Sequence, residues 1–327
     1  MSIGFGSVII GGSVTIGDDT AIGFLTVIRG RTITIGAHVS IGAITFIDTP
    51  HIEIGDGTKI NEQVFVGGLQ YPDSKFIVGK NSQIMQMSFI NPAKSIVIGN
   101  DTGIGGDCLI FGHSSWLSRF EGYDVEFNDI VIGNSVSLAW RVFVLPGTRI
   151  GDGSVVGANS LVNRTIPPKS LAVGFPARVV SKAPDFPKQL TDSDKKVILC
   201  DVVKDMIEYF NGFGIACGSQ NGNEIAVTSH KKTFWGTKAC FWKLLVLDDR
   251  PFETDSQPSA FSCDILLSLW RLPQHIRLYC RQKNIFWIDI ESKERPDFDS
   301  ELGEEIVLFF KRYGVRLYRV NGLSSGD

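Results

Sequence analysis

An aliphatic residue recurs at every sixth position between residues 132 and 162. The series is Ile132, Leu138, Val144, Ile150, Val156 and Val162. A step of six matches neither the 3.6-residue period of a helix nor the two-residue period of a strand. It is typical of a six-residue repeat in which each unit is one short strand and one corner. Three units close one triangular coil, so the pattern predicts a left-handed parallel β-helix.

The same spacing extends toward the N-terminus once inserts are allowed. The earlier inward positions are predicted to be Ile10, Ile16, Ile22, Ile28, Ile35, Ile41, Ile47, Ile54, Ile60, Val66, Val78, Ile84, Ile90, Ile98, Ile104 and Ile110. The step exceeds six only at 28–35, 47–54, 66–78, 90–98 and 110–132, which is after every third strand. All inserts therefore leave from one corner of the triangle, which we call the ridge corner.

Glycine follows the first strand of each predicted coil. It occupies positions 17, 36, 55, 79, 99, 133 and 151, where we expect it to relieve the corner backbone. These seven coils, with strands about 4.8 Å apart, predict a prism roughly 34 Å tall.

Composition limits the classes of partner. The 327-residue chain carries a net charge of −3, so neither nucleic acid nor an acidic membrane surface is expected as a partner. The sequence contains no run of 18 uncharged apolar residues, so no membrane span is expected. It does not begin with a basic segment, so no signal peptide is expected. The six cysteines lack CxxC spacing, which favours reduced thiols and a cytoplasmic location.

The chain changes character after the repeats. Residues 1–183 are predicted to form the β-helix with an extended tail from 166, residues 184–190 a linker, and residues 191–327 a small α/β domain. Helices are predicted from Thr191 to Gly212, from Ser262 to Arg271 and from Ser300 to Tyr313. Strands are predicted at Phe241–Leu247, Ile285–Ile290 and Val315–Val320. No catalytic motif stands out in this second domain.

The segment from His113 to Val180 resembles the hexapeptide-repeat acyltransferases, including the maltose, galactoside and capsular polysaccharide O-acetyltransferases. The resemblance lies in GHS at 112–114, DIVIG, VLPGTRIGDGSVVGANSLV and IPPKSLAVGFPARVV. The chain departs from the family at Val136–Ala139, where members commonly have Val-Trp-Ile-Gly. The resemblance implies acetyl-CoA as cosubstrate, a homotrimer, and active sites between neighbouring subunits.

His113 is the predicted catalytic residue. Acyl transfer from a thioester to an alcohol needs a base on the hydroxyl, and histidine suits that role near neutral pH. The alternative is a surface histidine that bonds its own loop. A thioester is reactive enough for direct attack, and no GxSxG elbow points to a covalent intermediate. His38, His51 and His113 lack the spacing of a zinc site, so no metal is expected.

The remaining candidates concern the two substrates. The resemblance favours a pantetheine channel along Ala139, Gly157 and Ala158, with Trp140 beside it, over ordinary corner geometry. Arg164 and Arg178 either meet the CoA phosphates or are exposed arginines of the tail, and Pro176 is a candidate to pack on the adenine. Trp116 either stacks on a sugar or pins its loop. Asn91 orients His113, binds acceptor hydroxyls or caps its corner. Asp124, Glu126 and Asp129 are either partners of the imidazole or solvated loop charges.

The sequence therefore predicts an acetyl-CoA-dependent O-acetyltransferase acting on a carbohydrate hydroxyl of a polysaccharide, an oligosaccharide or a precursor. Two alternatives stay open. One is N-acetylation of an amino or nucleotide sugar, and the other is a non-catalytic β-helix module for assembly or binding.

Overall fold

The computed structural model describes residues 1–220, 223–233, 236–249 and 262–320. The chain divides into two compact units, Met1–Gln189 and Leu190–Asp327. Among the described residues, the first unit has one buried apolar cluster and the second unit has two.

The first unit is a left-handed β-helix with three faces. Its first face contains β7 (His51–Ile54), β10 (Lys75–Val78), β13 (Ser95–Ile98), β18 (Ile130–Ile132) and β21 (Arg149–Ile150). Its second face contains β1 (Ser2–Ile3), β3 (Ala21–Ile22), β5 (Ser40–Ile41), β8 (Lys59–Ile60), β11 (Gln83–Ile84), β14 (Gly103–Ile104), β19 (Ser137–Leu138) and β22 (Val155–Val156). Its third face contains β6 (Phe46–Asp48), β9 (Phe65–Val66), β12 (Phe89–Asn91), β15 (Leu109–Phe111), β20 (Phe143–Val144) and β23 (Leu161–Val162). The strands β2 (Val8–Ile16) and β4 (Val27–Ile35) run through the ridge corner from the third face to the first.

Parallel pairing stacks the coils in the predicted register. Ile54 pairs with Val78, Val78 with Ile98, and Ile98 with Ile132. The inward aliphatic side chains form one buried cluster along the prism. The inserts all leave after the third strand, so the predicted ridge corner is confirmed.

Small hydroxyl residues tie successive coils together at the corners. Thr20 Oγ1 donates to the carbonyl of Gly36 at 2.7 Å, Thr58 Oγ1 to that of Gly79 at 2.6 Å, and Thr102 Oγ1 to that of Gly133 at 2.7 Å. These side chains are 0–1% exposed, and a buried hydroxyl must be hydrogen-bonded to avoid a desolvation cost. The corner residues therefore satisfy their own polarity by bonding the next coil.

The first inward position differs from the sequence prediction. Ile9 pairs with Ile28, whereas Ile10 pairs with the outward Arg29 and is 55% exposed. The one-residue insert seen between Ile28 and Ile35 also separates Ile9 from Ile16. A shift of one residue reverses the face of every side chain in a strand, so counting back by six from Ile16 selected the wrong residue.

The corner glycines also have a different role from the one expected. A Cβ at Gly17 would lie 2.4 Å from the backbone nitrogen of Ala37, and one at Gly55 would lie 2.7 Å from the backbone of Gly79. Positive φ falls two residues later, mostly at residues other than glycine such as Asp19 (54°) and His38 (56°). The glycines therefore permit close approach of one coil to the next.

The tail closes the C-terminal end of the β-helix. Ile166 and Ala172 are 1% and 0% exposed and continue the inward series. The strand β24 (Ser170–Gly174) pairs with β22, and β25 (Ala177–Lys182) returns antiparallel to it. The tail is thus extended, as predicted.

The second unit is the predicted small α/β domain, and its described residues form one seven-stranded sheet. The strands are β26 (Ala216–Gln220), β27 (Glu224–Thr233), β28 (Gly236–Leu247), β29 (Ile265–Ser268), β30 (Phe286–Asp289), β31 (Glu294–Pro296) and β32 (Tyr318–Val320), in that spatial order. The helices are α1 (Asp192–Gly212), α2 (Gln274–Gln282) and α3 (Glu301–Lys311). Thr191 and Asp194 form a capping box before α1, and Ser300 caps α3.

One element of this unit was predicted wrongly. The segment Ser262–Arg271 contains the strand β29, and a helix not anticipated from the sequence, α2, begins after Pro273. All four residues of β29 are buried, because strands cover both of its edges and apolar clusters cover both of its faces. A short apolar run buried on both faces carries no period that separates strand from helix.

The tryptophans in the described part of this unit pack in its core or against it. Trp270 and Trp287 are 2% and 1% exposed, and Trp242 is half-buried. Trp235 lies outside the described residues. Core packing is therefore the role of the buried pair.

Candidate active site

The longest insert forms a loop at the ridge corner, which we call the ridge loop (residues 113–127). Its base is a short hairpin of β16 (His113–Ser114) and β17 (Glu126–Phe127), and its far part contains a 3₁₀ turn at Arg119–Glu121. His113 begins the loop and is held at the hairpin base, where the β-helix supports it.

Both ring nitrogens of His113 have hydrogen-bond partners. The side-chain nitrogen of Asn91 lies 2.9 Å from Nε2, and Oγ of Ser115 lies 3.1 Å from Nδ1. Phe127 lies roughly parallel to the imidazole at a centroid distance of 6.1 Å, and Phe111 meets it edge-on at 6.0 Å. The ring is therefore fixed in orientation by two polar and two aromatic neighbours.

Asn91 is positioned by the coil beneath the loop. It pairs with Phe111 of the next coil and is 4% exposed. Its carbonyl accepts from the backbone N–H of Gly112 at 2.9 Å. A Cβ at Gly68 would lie 2.5 Å from the Asn91 side-chain nitrogen, so the glycine at 68 leaves the room that the amide occupies. Of the three roles considered for Asn91, this geometry matches the one that orients His113.

Burial lowers the pKa of His113 below its usual value of 6.5. Removal from water disfavours the charged imidazolium. Burial therefore favours the neutral imidazole, which is the form that can accept a proton.

The loop carboxylates are not hydrogen-bonded to the imidazole. Asp129 accepts from the backbone N–H of Ser95 at 2.9 Å. Glu126 lies opposite Ser114 in the hairpin, and Asp124 is exposed. The imidazole instead bonds Ser115, which no sequence pattern had singled out. A serine two residues after a histidine is common, so the sequence alone gave no signal for this contact.

Trp116 does not pin the loop. Its side chain is 96% exposed, so it makes little contact with the rest of the protein.

The predicted channel residues share the corner that follows the second strand of each coil, which we call the second corner. Ala139 and Gly157 follow paired strands on successive coils, and the N–H of Ala139 donates to the carbonyl of Val156 at 2.9 Å. Trp140 follows Ala139, and its ring lies across Gly106 of the coil below, where a Cβ would be 2.6 Å from the ring. Ala158 is exposed beside Gly157. The structure therefore brings these four residues together.

The three residues proposed for the CoA nucleotide are divided between two places. Pro176 and Arg178 lie in the terminal hairpin, where Arg178 pairs with Val173, whose side chain covers Gly157. Gly174 of the same hairpin donates its N–H to Oγ of Ser160 at 3.0 Å. Arg164 instead follows the third strand β23, at the ridge corner. Only Pro176 and Arg178 are therefore near the second corner.

His113 and the predicted channel residues lie at different corners of the β-helix in one chain. Six residues separate Ala139, at the second corner, from Leu145, at the ridge corner. That length corresponds to at most about 20 Å of extended chain. One β-helix presents the two halves of the expected site on separate edges.

The described residues contain no group of three or more His, Cys, Asp or Glu side chains able to hold a metal ion. His51 Nδ1 lies 2.7 Å from Oγ1 of Thr32, and His38 lies 3.7 Å from Asp19. Among the helices of the described segments, none is both long and apolar enough to cross a membrane.

Comparison with known proteins identifies relatives of the β-helix. Galactoside O-acetyltransferase of Escherichia coli is 33% identical over 134 residues, which are 38% of this chain and 66% of that protein. WbbJ of the same organism, named for O-acetyl transfer in lipopolysaccharide biosynthesis, is 37% identical over 113 residues, or 31% of this chain and 58% of that protein. The resemblance to hexapeptide-repeat O-acetyltransferases is confirmed. No family model matches the chain.

Two solved structures are also similar. The UDP-N-acetylglucosamine acyltransferase of Campylobacter jejuni has a TM-score of 0.43 and 21% identity over 62% of this chain and 83% of its own. A hexapeptide-repeat acetyltransferase of Vibrio cholerae complexed with acetyl-CoA has a TM-score of 0.28 and 23% identity over 55% of this chain and 73% of its own. The chain spans less than two thirds of the length of the curated relatives named above.

Proposed function

We propose that the protein is an acetyl-CoA-dependent O-acetyltransferase acting on a carbohydrate hydroxyl, with His113 as general base. The observation that carries the proposal is an imidazole held by Asn91 and Ser115 at the ridge corner, and burial lowers its pKa. The O-acetyltransferase relatives support the reaction class and the sugar acceptor.

The proposed reaction is a direct transfer. The imidazole accepts the proton of the acceptor hydroxyl while that oxygen attacks the thioester carbonyl carbon. A tetrahedral intermediate forms, its oxyanion stabilised by a backbone N–H at the second corner. The carbon–sulfur bond then breaks, and the departing thiolate takes the proton from the imidazolium. The products are an acetyl ester and free CoA.

Asn91 suits a histidine that changes charge during the reaction. A side-chain amide carries both a donor and an acceptor. With its nitrogen toward the ring, the amide donates to the Nε2 lone pair. Turned, its oxygen accepts from an Nε2–H, and the lone pair of Nδ1, which Ser115 contacts, is then free to take the proton of the acceptor hydroxyl. In the described residues no group hydrogen-bonds Oδ1 of Asn91, although this oxygen is buried, so turning the amide breaks no bond of that oxygen.

Acetyl-CoA is proposed to bind along the second corner. Ala139, Gly157 and Ala158 have small side chains, so the pantetheine arm can approach the backbone there. Trp140 would cover one side of the arm, and Pro176 would pack on the adenine. Arg178 offers a guanidinium to the phosphates, with Arg164 a separate candidate at the other corner.

We further propose a homotrimer with sites between subunits. The supporting observation is the separation of His113 and Ala139 onto different corners of one prism. A neighbouring copy can bring its second corner to this ridge corner, which completes the site. We also propose a cytoplasmic location, which the lack of CxxC spacing among the six cysteines supports.

The experiment that tests the function is CoA release against a panel of glycans, with His113→Ala as the diagnostic variant. Loss of a positioned base lowers the rate by about 10²–10⁴-fold, so kcat should fall by that factor. Acetyl-CoA affinity and the melting temperature should change little, because the imidazole lies outside the apolar core. Near-native kcat with the true acceptor would overturn the role of His113. Absence of CoA binding by the wild type would favour a non-catalytic β-helix module.

A further inference from the structure

The ridge loop exposes a cluster of large apolar side chains. Trp116 and Phe120 are 96% and 103% exposed, and Leu117 and Tyr123 are 52% and 48% exposed. Soluble proteins rarely leave such clusters bare, and exposed apolar patches commonly mark binding surfaces. The hairpin at the base of the loop carries His113, and these side chains lie in the loop beyond it.

Serine hydroxyls lie among the aromatic residues of this loop. The sequence from 114 to 118 is Ser-Ser-Trp-Leu-Ser, followed by Arg119 and Phe120. Aromatic faces pack against apolar surfaces, and serine hydroxyls both donate and accept hydrogen bonds. A sugar ring has apolar faces and a rim of hydroxyls, so it complements both features.

The charge of the ridge loop limits the class of ligand that it can bind. Between residues 113 and 127 there is one arginine, Arg119, against three carboxylates, Glu121, Asp124 and Glu126. A surface with this excess of negative charge repels anions. It disfavours nucleotide sugars and polyanionic glycans as acceptors.

We propose that the ridge loop binds the sugar residues that flank the acetylated one in a neutral oligosaccharide or polysaccharide. Trp116 follows His113 by three residues, so their Cα atoms are at most about 10 Å apart. A glycan whose reacting hydroxyl meets His113 therefore places its neighbouring rings against Trp116 and then Phe120. This inference rests on the proposed function and specifies its acceptor as a chain rather than a free sugar.

The first test measures kcat/KM for neutral oligosaccharides of increasing length. The wild type should prefer long acceptors, and Phe120→Ala should lower the ratio of long to short acceptor by about two- to tenfold, the effect of losing one aromatic contact. Phe5→Ala is the matched control, because Phe5 is 91% exposed but lies in the first coil. It should leave the ratio unchanged.

The second test compares neutral oligosaccharides with carboxylated ones of equal length. The wild type should favour the neutral chain, and the double variant Glu121→Gln, Asp124→Asn should reduce that preference. A wild type with no length dependence, or with a preference for the carboxylated chain, would overturn the inference. So would a Phe120→Ala variant that dissociates in light scattering, because the cluster would then be covered by a second copy.

A binding measurement separates this inference from the proposed function. The same oligosaccharides are titrated into the protein without acetyl-CoA. Binding that weakens in Phe120→Ala, with no acetylation of any acceptor, would support the glycan surface and reject the transferase. Acetylation without length-dependent binding would support the transferase and reject the glycan surface.

Discussion

The side-chain amide of Asn91 lies 2.9 Å from Nε2 of His113, although 22 residues separate them in sequence. The stacking of coils produces this contact, because Asn91 pairs with Phe111 and His113 follows two residues later. Asn91 is 4% exposed, so the inner edge of the ridge loop is fixed to the β-helix itself. The proposed chemistry therefore depends on the same packing that holds the fold.

The Asn91 contact predicts a shift in pH dependence. Asn91→Asp places a carboxylate at the imidazole, which raises the pKa of His113. Only the neutral ring accepts a proton, so the acidic limb of the kcat/KM profile should move to higher pH. In the wild type that limb should lie below pH 6.5, because burial lowers the pKa. The measurement is kcat/KM from pH 5 to 8, beside an NMR titration of His113.

Asn91→Ala is the control for this prediction. It removes the contact without adding charge, so it should reduce kcat and should not reproduce the upward shift. An Asn91→Asp profile that overlays the wild type would show that His113 is not the titrating base.

The separation of the two corners predicts complementation between impaired variants. His113→Ala removes the base, and Ala139→Phe fills the second corner. Each protein alone should be strongly impaired, but mixed oligomers should regain part of the activity, because some sites combine an intact His113 with an intact Ala139 from another chain. Coexpression with two affinity tags isolates the mixed species.

Two results would count against the shared site. One is a monomeric mass at micromolar concentration in light scattering, and the other is inactive mixed oligomers of confirmed composition. A subunit interface that supports the trimer should bury roughly 1,000 Å² or more.

The division into two units predicts that the β-helix is sufficient for the transfer. A truncated chain ending at Gln189 retains the whole of the first unit and every proposed site residue. We expect it to fold, to bind acetyl-CoA and to acetylate a small acceptor, since residues 190–327 are proposed to assist acceptor binding or assembly. A folded truncation that binds CoA but has lost all turnover would contradict that assignment.

The close approach of coils predicts a stability effect at Gly55. A Cβ there would lie 2.7 Å from backbone atoms of Gly79 and Lys80. Both contacting groups are backbone, so neither coil can move aside easily. Gly55→Ala should lower the free energy of unfolding by about 1–3 kcal/mol, as overpacking does. Gly12→Ala is the milder control, with 3.1 Å to the carbonyl of Arg31. Denaturant midpoints compare the two, and equal losses would show that coil contact is not the cause.

The β-helix was predictable because its restraints are local and repeated. An inward aliphatic residue every six positions, with inserts after every third strand, fixes the coil, the register and the ridge corner. The inward position was assigned wrongly at Ile10, in the first coil, where a preceding coil was not available to show the one-residue insert. The role of the corner glycines was also misjudged, because the contact with the next coil involves a residue about twenty positions away.

The second unit was less predictable. α1 and α3 were found from their caps and apolar spacing, but β29 was mistaken for a helix because its burial comes from neighbouring strands and helices distant in sequence. The candidate site divides in the same way. The sequence by itself determined His113 as the base candidate and the small residues of the second corner, through motifs that are continuous in the chain. Only the tertiary structure decided that Asn91 and Ser115 hold the imidazole and that Arg164 lies apart from Arg178. It also decided that His113 and Ala139 occupy different corners, because coil stacking brings together residues that no local pattern connects.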